Sequence, residues 1–205
     1  MSPAARSRDS DHGTGVGYST TTPTASAPSA TESAMSSGCV LQLHGDEAQA
    51  VVAAVRDGLT GTGIQLVKAL RVRRSATMDD TAGWVRTAQS FVEAGADAIL
   101  LDAHAPDRPG GGTGRTFDWS IARAVGRECS RPVILAGGLT PENVADAVRI
   151  ARPYGLDVVS SVEDEAHRKV RECVRAFVAA ARRAADETEA GSAAPATGTD
   201  AAVRD

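Results

Sequence analysis

The chain has 205 residues, 42% of them hydrophobic but only 3% aromatic, with a net charge of −4 at pH 7. That length accommodates one sizeable domain, and the acidic balance with few aromatic rings excludes the basic, stacking surface of a nucleic-acid binder. No apolar run is long enough for a membrane span or the centre of a secretory leader, so neither nucleic acid nor a membrane is an expected partner.

Residues 1–38 are dominated by Ser, Thr, Ala, Gly and Pro and contain no Leu, Ile or Phe. Such a segment buries too little apolar surface to offset its ordering entropy, and it is predicted to be disordered. From there apolar runs alternate with amphipathic stretches. The expected strands are 40–44, 65–70, 98–102, 133–136 and 157–160; the expected helices are 46–56, 78–93, 118–127, 141–150 and 163–183. Most of the strands are almost continuously apolar, as in parallel strands buried on both faces. Gly95 is placed to end the second helix, Asp118 to cap the third, and Thr140 to cap the fourth ahead of Pro141. The tail 186–205, rich in Ala, Thr and acidic residues, is predicted to be disordered, which leaves a folded region over residues 39–185. Cys39, Cys129 and Cys173 form no metal-ligand or disulfide pattern, so no metal is expected and a reducing cytoplasm fits.

Five βα units fall short of the eight that close a (β/α)8 barrel. Spacing alone leaves an open α/β sheet and an incomplete barrel equally possible. Two features point to chemistry. Gly110, Gly111, Gly112 and Gly114 follow the third strand, and Gly137 and Gly138 follow the fourth. Glycines at the ends of strands let backbone N–H groups approach phosphate oxygens closely. One such turn is ordinarily just a turn; a second, one βα unit later, argues for a phosphate cradle. Asp102 closes the third strand, at the end where barrel enzymes keep reactive groups.

Several segments together carry a resemblance. They are Leu41-Gln42-Leu43-His44-Gly45-Asp46-Glu47, Val67-Lys68-Ala69-Leu70-Arg71-Val72, Leu100-Leu101-Asp102 and Gly111-Gly112-Thr113-Gly114-Arg115-Thr116-Phe117-Asp118-Trp119, then Pro132-Val133-Ile134-Leu135-Ala136-Gly137-Gly138-Leu139, Pro141-Glu142-Asn143-Val144 and Arg152-Pro153-Tyr154-Gly155. In this order they resemble phosphoribosylanthranilate isomerase, the (β/α)8 barrel of tryptophan biosynthesis, over residues 40–180, corresponding to its strands four to eight. The resemblance implies a partial TIM barrel of the ribulose-phosphate-binding type. It implies an isomerase that needs no cofactor and converts N-(5-phosphoribosyl)anthranilate to 1-(2-carboxyphenylamino)-1-deoxyribulose 5-phosphate. That reaction needs an acid at the ribose ring oxygen, a base at C2 and an anchor for the phosphate.

On the same resemblance Asp102 is the general acid. Gly111, Gly112, Gly114, Gly137, Gly138, Ser160 and Ser161 hold the phosphate, and Asp157 is a carboxylate facing the substrate. His44 is either a hydrogen-bonded structural residue or a substrate contact. Lys68 is expected to face a polar barrel interior, paired with a carboxylate. The departures are specific. No Lys-Ile-Cys-Gly strand, whose cysteine is the family's base, occurs in the chain, nor do the family's strands two and three; Ser161 stands where the family has glycine, with a Cβ that crowds the phosphate. Cys39 begins its strand, the wrong end for a base. The chain alone is therefore expected to be impaired. The alternative is a non-catalytic phosphate-binding remnant that self-associates or needs a complementing fragment.

Overall fold

The computed structural model describes residues 38–104 and 116–193. Five parallel strands, β1 (Val40–Leu43), β2 (Gln65–Arg73), β3 (Ala98–His104), β4 (Val133–Ala136) and β5 (Gly155–Leu156), form one sheet in the order β1-β2-β3-β4-β5. Helices α1 (Gln49–Gly58), α2 (Thr81–Glu93), α3 (Trp119–Glu128), α4 (Val144–Ala151) and α5 (Arg171–Ala193) follow the strands.

Alternation along the strands decides between the two architectures. Leu66, Leu70 and Val72 of β2, Ile99 and Leu101 of β3, and Val133 and Leu135 of β4 pack with Val52, Phe91, Ile121, Val148 and Phe177 of the helices. The intervening Val67, Ala69, Ala98, Leu100, Ile134 and Ala136 form a separate cluster made of strand residues alone. The described helices therefore cover one face of a sheet whose strands run in sequence order. A doubly wound fold places helices on both faces and reverses its strand order, whereas an arc of a (β/α)8 barrel has this arrangement.

Several expected element bounds are corrected. Strands β2 and β3 run past 70 and 102, because their parallel register continues from Val67↔Ala98 to Arg73↔His104 and each strand satisfies the other's backbone. The last strand is Gly155–Leu156 rather than 157–160. Asp157 donates its N–H to Leu135 O at 2.9 Å, but β4 ends at Ala136 and Gly137 turns away with φ +79°. Nothing on that side is left to pair with residues 158–160, and Ser160–Val162 coil into a 3-10 turn.

The final helix begins at Arg171, not 163, because residues 163–170 close on themselves. Asp164 accepts N–H bonds from Ala166 and Arg168, His167 sits at φ +57°, and Glu163 bridges to Lys169. The helix also continues beyond residue 185 to Ala193. Ala181, Ala184 and Ala185 are buried in the main core, and Arg149 of α4 pairs with Glu187 at 2.9 Å. The expected disordered segment 1–38 lies outside the described residues except for Gly38, as do residues 194–205 of the tail.

Candidate active site

The site lies at the C-terminal ends of the strands. Leu43 packs with the helices, so Gln42 and His44, one residue to either side, take the helix-free face. Leu43 is in register with Lys68. The next β2 residue, Ala69, is small and lets the His44 ring pass over β2 to β3. There His44 Nε2 lies 3.0 Å from Asp102 Oδ2. The Gln42 Nε2 amide lies 2.8 Å from His44 Nδ1. An amide nitrogen only donates, so Nδ1 accepts; neutral His44 then carries its proton on Nε2 and donates it to the Asp102 carboxylate. The His44 and Asp102 side chains remain 42% and 26% exposed, open to a ligand.

Asp102 is in register with Ala136, which puts Gly137 beside it. Gly137 and Gly138 both have left-handed backbone, φ +79° and +67°. A Cβ at Gly137 would come within 3.0 Å of Asp102 Oδ1 and of Ala103. Glycine here is required both by conformation and by the closeness of the aspartate. The turn is locked by Asn143, whose Nδ2 donates to Gly138 O at 2.9 Å and whose Oδ1 accepts from Thr140 N at 2.8 Å. Helix α4 starts at Val144 rather than 141, with Asn143 in its N-cap position, so Thr140 caps only the turn before it, its hydroxyl accepting from Glu142 and Asn143 N–H. Asp118 caps α3 as expected.

Ser161 Oγ donates to Leu139 O at 2.6 Å. Its side chain thus straps the 3-10 turn after β5 to the glycine turn after β4. Ser160 and Ser161 share this end of the sheet with Asp102 and Gly137, and Asp157 sits half-buried just past β5. Gly111, Gly112 and Gly114 lie outside the described residues.

Lys68 is the clearest correction. It is 2% exposed and shares the parity of Leu66 and Leu70, so it points into the helix layer rather than the barrel interior. There it meets Glu47 Oε2 at 3.0 Å, Gly45 O at 2.9 Å and Ala69 O at 2.7 Å, with the Phe91 ring 5.4 Å away. On the other face Arg71 pairs with Asp46 at 3.1 Å. Sequence reasoning passed over Gln42, Asp46, Glu47 and Arg71; the spacing of Gln42 and His44, two apart in a strand, was the available signal for the first.

Burial pushes the Glu47 carboxyl up, but the hydrogen bond and charge of Lys68 together with backbone N–H donors outweigh it and hold it below its ordinary 4.5. A carboxyl lowered by folding adds stability at neutral pH that is lost as pH falls through the folded value. Urea midpoints are therefore expected to fall between pH 6 and about pH 3, and to fall less in Glu47→Gln. Identical acid limbs for the two proteins would contradict this.

Among the described residues no cluster of metal-binding side chains occurs, and no helix is long and apolar enough to cross a membrane.

Residues 31–180 match the family model for N-(5′-phosphoribosyl)anthranilate isomerase. The N-(5′-phosphoribosyl)anthranilate isomerase of Haloferax volcanii is 45% identical over 145 residues, 71% of this chain and 58% of that protein. That of Myxococcus xanthus is 43% identical over 69% of this chain and 59% of its own length. The chain thus spans about three fifths of the length of the curated relatives it matches. The solved enzyme of Pyrococcus furiosus superposes with a TM-score of 0.55 at 29% identity, over 70% of this chain and 62% of that one.

Proposed function

The chain belongs to the N-(5′-phosphoribosyl)anthranilate isomerase family, and from that premise we propose that residues 39–185 carry the acid and phosphate-holding parts of an isomerase site acting on a phosphoribosylated arylamine in tryptophan biosynthesis. The observation that supports this is the meeting of His44, Asp102 and Gly137 at one end of the sheet. Asp102, once protonated, delivers its proton to the ribose ring oxygen as the C1–O bond breaks. His44, hydrogen-bonded to the same carboxylate, holds it in place. The backbone at Gly137 and Gly138 and the turn at Ser160–Val162, tied together by Ser161, hold the phosphate. Gly111, Gly112 and Gly114 are assigned to the same phosphate, and Asp157 to the substrate. No cofactor takes part. The three free cysteines fit a reducing cytoplasm.

The base at C2 is a different matter. Cys39 precedes β1, Cys129 follows α3 and Cys173 lies in α5, so no cysteine stands at the C-terminal end of a strand. We therefore assign the base to the part of the barrel that corresponds to the family's first three βα units and lies outside residues 38–193. Turnover of phosphoribosylanthranilate is measured for the 205-residue chain, alone and mixed with a fragment carrying the first three βα units of the Haloferax volcanii relative. Turnover in the mixture only is the expected result. Robust turnover by the chain alone overturns the division of labour, and no turnover in either overturns the isomerase reading.

A further inference from the structure

A buried ammonium is costly, and an apolar side chain of similar length fills such a site at less cost. Lys68 nevertheless occupies the core, and what it touches is specific. Two of its three oxygen partners, Gly45 O and a Glu47 carboxylate oxygen, belong to the turn that directly follows His44. The other Glu47 oxygen accepts the Gly45 N–H at 3.0 Å. Gly45 is thus held at both its N–H and its carbonyl, and its N–H shares a peptide plane with the His44 carbonyl. No covalent neighbour of His44 on that side is free to rotate. The free energy spent on burying the charge goes into fixing the backbone from which the imidazole projects.

We infer that Lys68 and Glu47 form a buried clamp that positions the His44 imidazole against Asp102. Neither side chain touches the reacting atoms; both are positioning residues, acting from the helix side of β2 on a group that works on the other face. The kinetic consequence rests on the isomerase reading, while the geometry of the ring does not.

The test uses the full 205-residue chain with nitrogen-15 in its histidines, His44 being identified by the signal lost in His44→Gln. Long-range proton–nitrogen spectra at neutral pH report which ring nitrogen carries the proton. The native chain is expected to show one fixed tautomer, with Nε2 protonated. In Glu47→Gln and Lys68→Met the two nitrogen shifts are expected to collapse toward the average of a freely exchanging imidazole. In the reconstituted isomerase, kcat is expected to fall about ten- to a hundredfold at nearly unchanged KM, the signature of a misplaced group rather than a lost ligand. Should Lys68→Met fail to fold, Glu47→Gln, on the rim of the clamp, decides alone. A fixed tautomer retained in a folded Glu47→Gln, or an averaged one in the native chain, overturns the inference. A tautomer lost on substitution in a protein that never turns over upholds the clamp and removes the isomerase reading instead.

Discussion

Asp102→Asn is expected to lower kcat of the reconstituted isomerase about 10²- to 10⁴-fold, the contribution of a positioned acid. The amide is close to isosteric. Its oxygen still accepts the His44 Nε2–H, so the hydrogen bond across β2 survives and the fold is undisturbed. What is lost is the ability to carry a proton to the ring oxygen. On the proposed reading the phosphate is held by backbone groups of other turns, so KM and the affinity for inorganic phosphate should change little. The check is a full kinetic comparison of the two proteins, with calorimetric titration of phosphate beside it. Retention of kcat within a factor of about two would remove Asp102 from the acid's role.

The second large effect is expected at Gly137. An alanine there is placed in left-handed backbone, φ +79°, at a cost of about 1–2 kcal/mol. Its Cβ also falls inside 3.0 Å of Asp102 Oδ1 and of the backbone and Cβ of Ala103. Relieving that overlap by moving β3 or β4 costs roughly another 1–3 kcal/mol. The sum, about 2–5 kcal/mol, is a large part of a domain's usual margin and corresponds to a drop in Tm of roughly 5–15 °C. Thermal unfolding by circular dichroism measures it. The variant should also lose the His44–Asp102 contact, since the carboxylate is what the new methyl displaces. Gly58→Ala, where no atom lies within 4 Å of an added Cβ, is the matched control and should leave Tm unmoved or raised. Equal Tm values for Gly137→Ala and the native chain would show that the glycine turn is not constrained as described.

The linear sequence by itself determined where β1 to β4 begin and, for β4, where it ends. Val133–Ala136 is apolar throughout and flanked by Pro132 and Gly137, so local chemistry settles both its length and its end. Asp102 and the Gly137–Gly138 pair were legible for the same reason: a polar or glycine residue closing an apolar run marks the mouth of a sheet whatever its neighbours are. Even the cap at Asp118 follows from residues adjacent in the chain. What depended on residues far apart was decided only by the tertiary structure. Lys68 reads as interior or helix-side depending on a one-residue shift of parity, and the parity is set by which face of β2 meets Phe91. β5 stops at Leu156 because its partner β4 stops, a fact about another strand. Helix α5 starts late because Asp164 and Glu163 find partners within the preceding loop. The Gln42–His44–Asp102 chain joins residues 58 positions apart through a hydrogen bond across an intervening strand. Periodicity carries each residue's own preference; which preference prevails is settled by the backbone groups and charges that the folded chain brings to it.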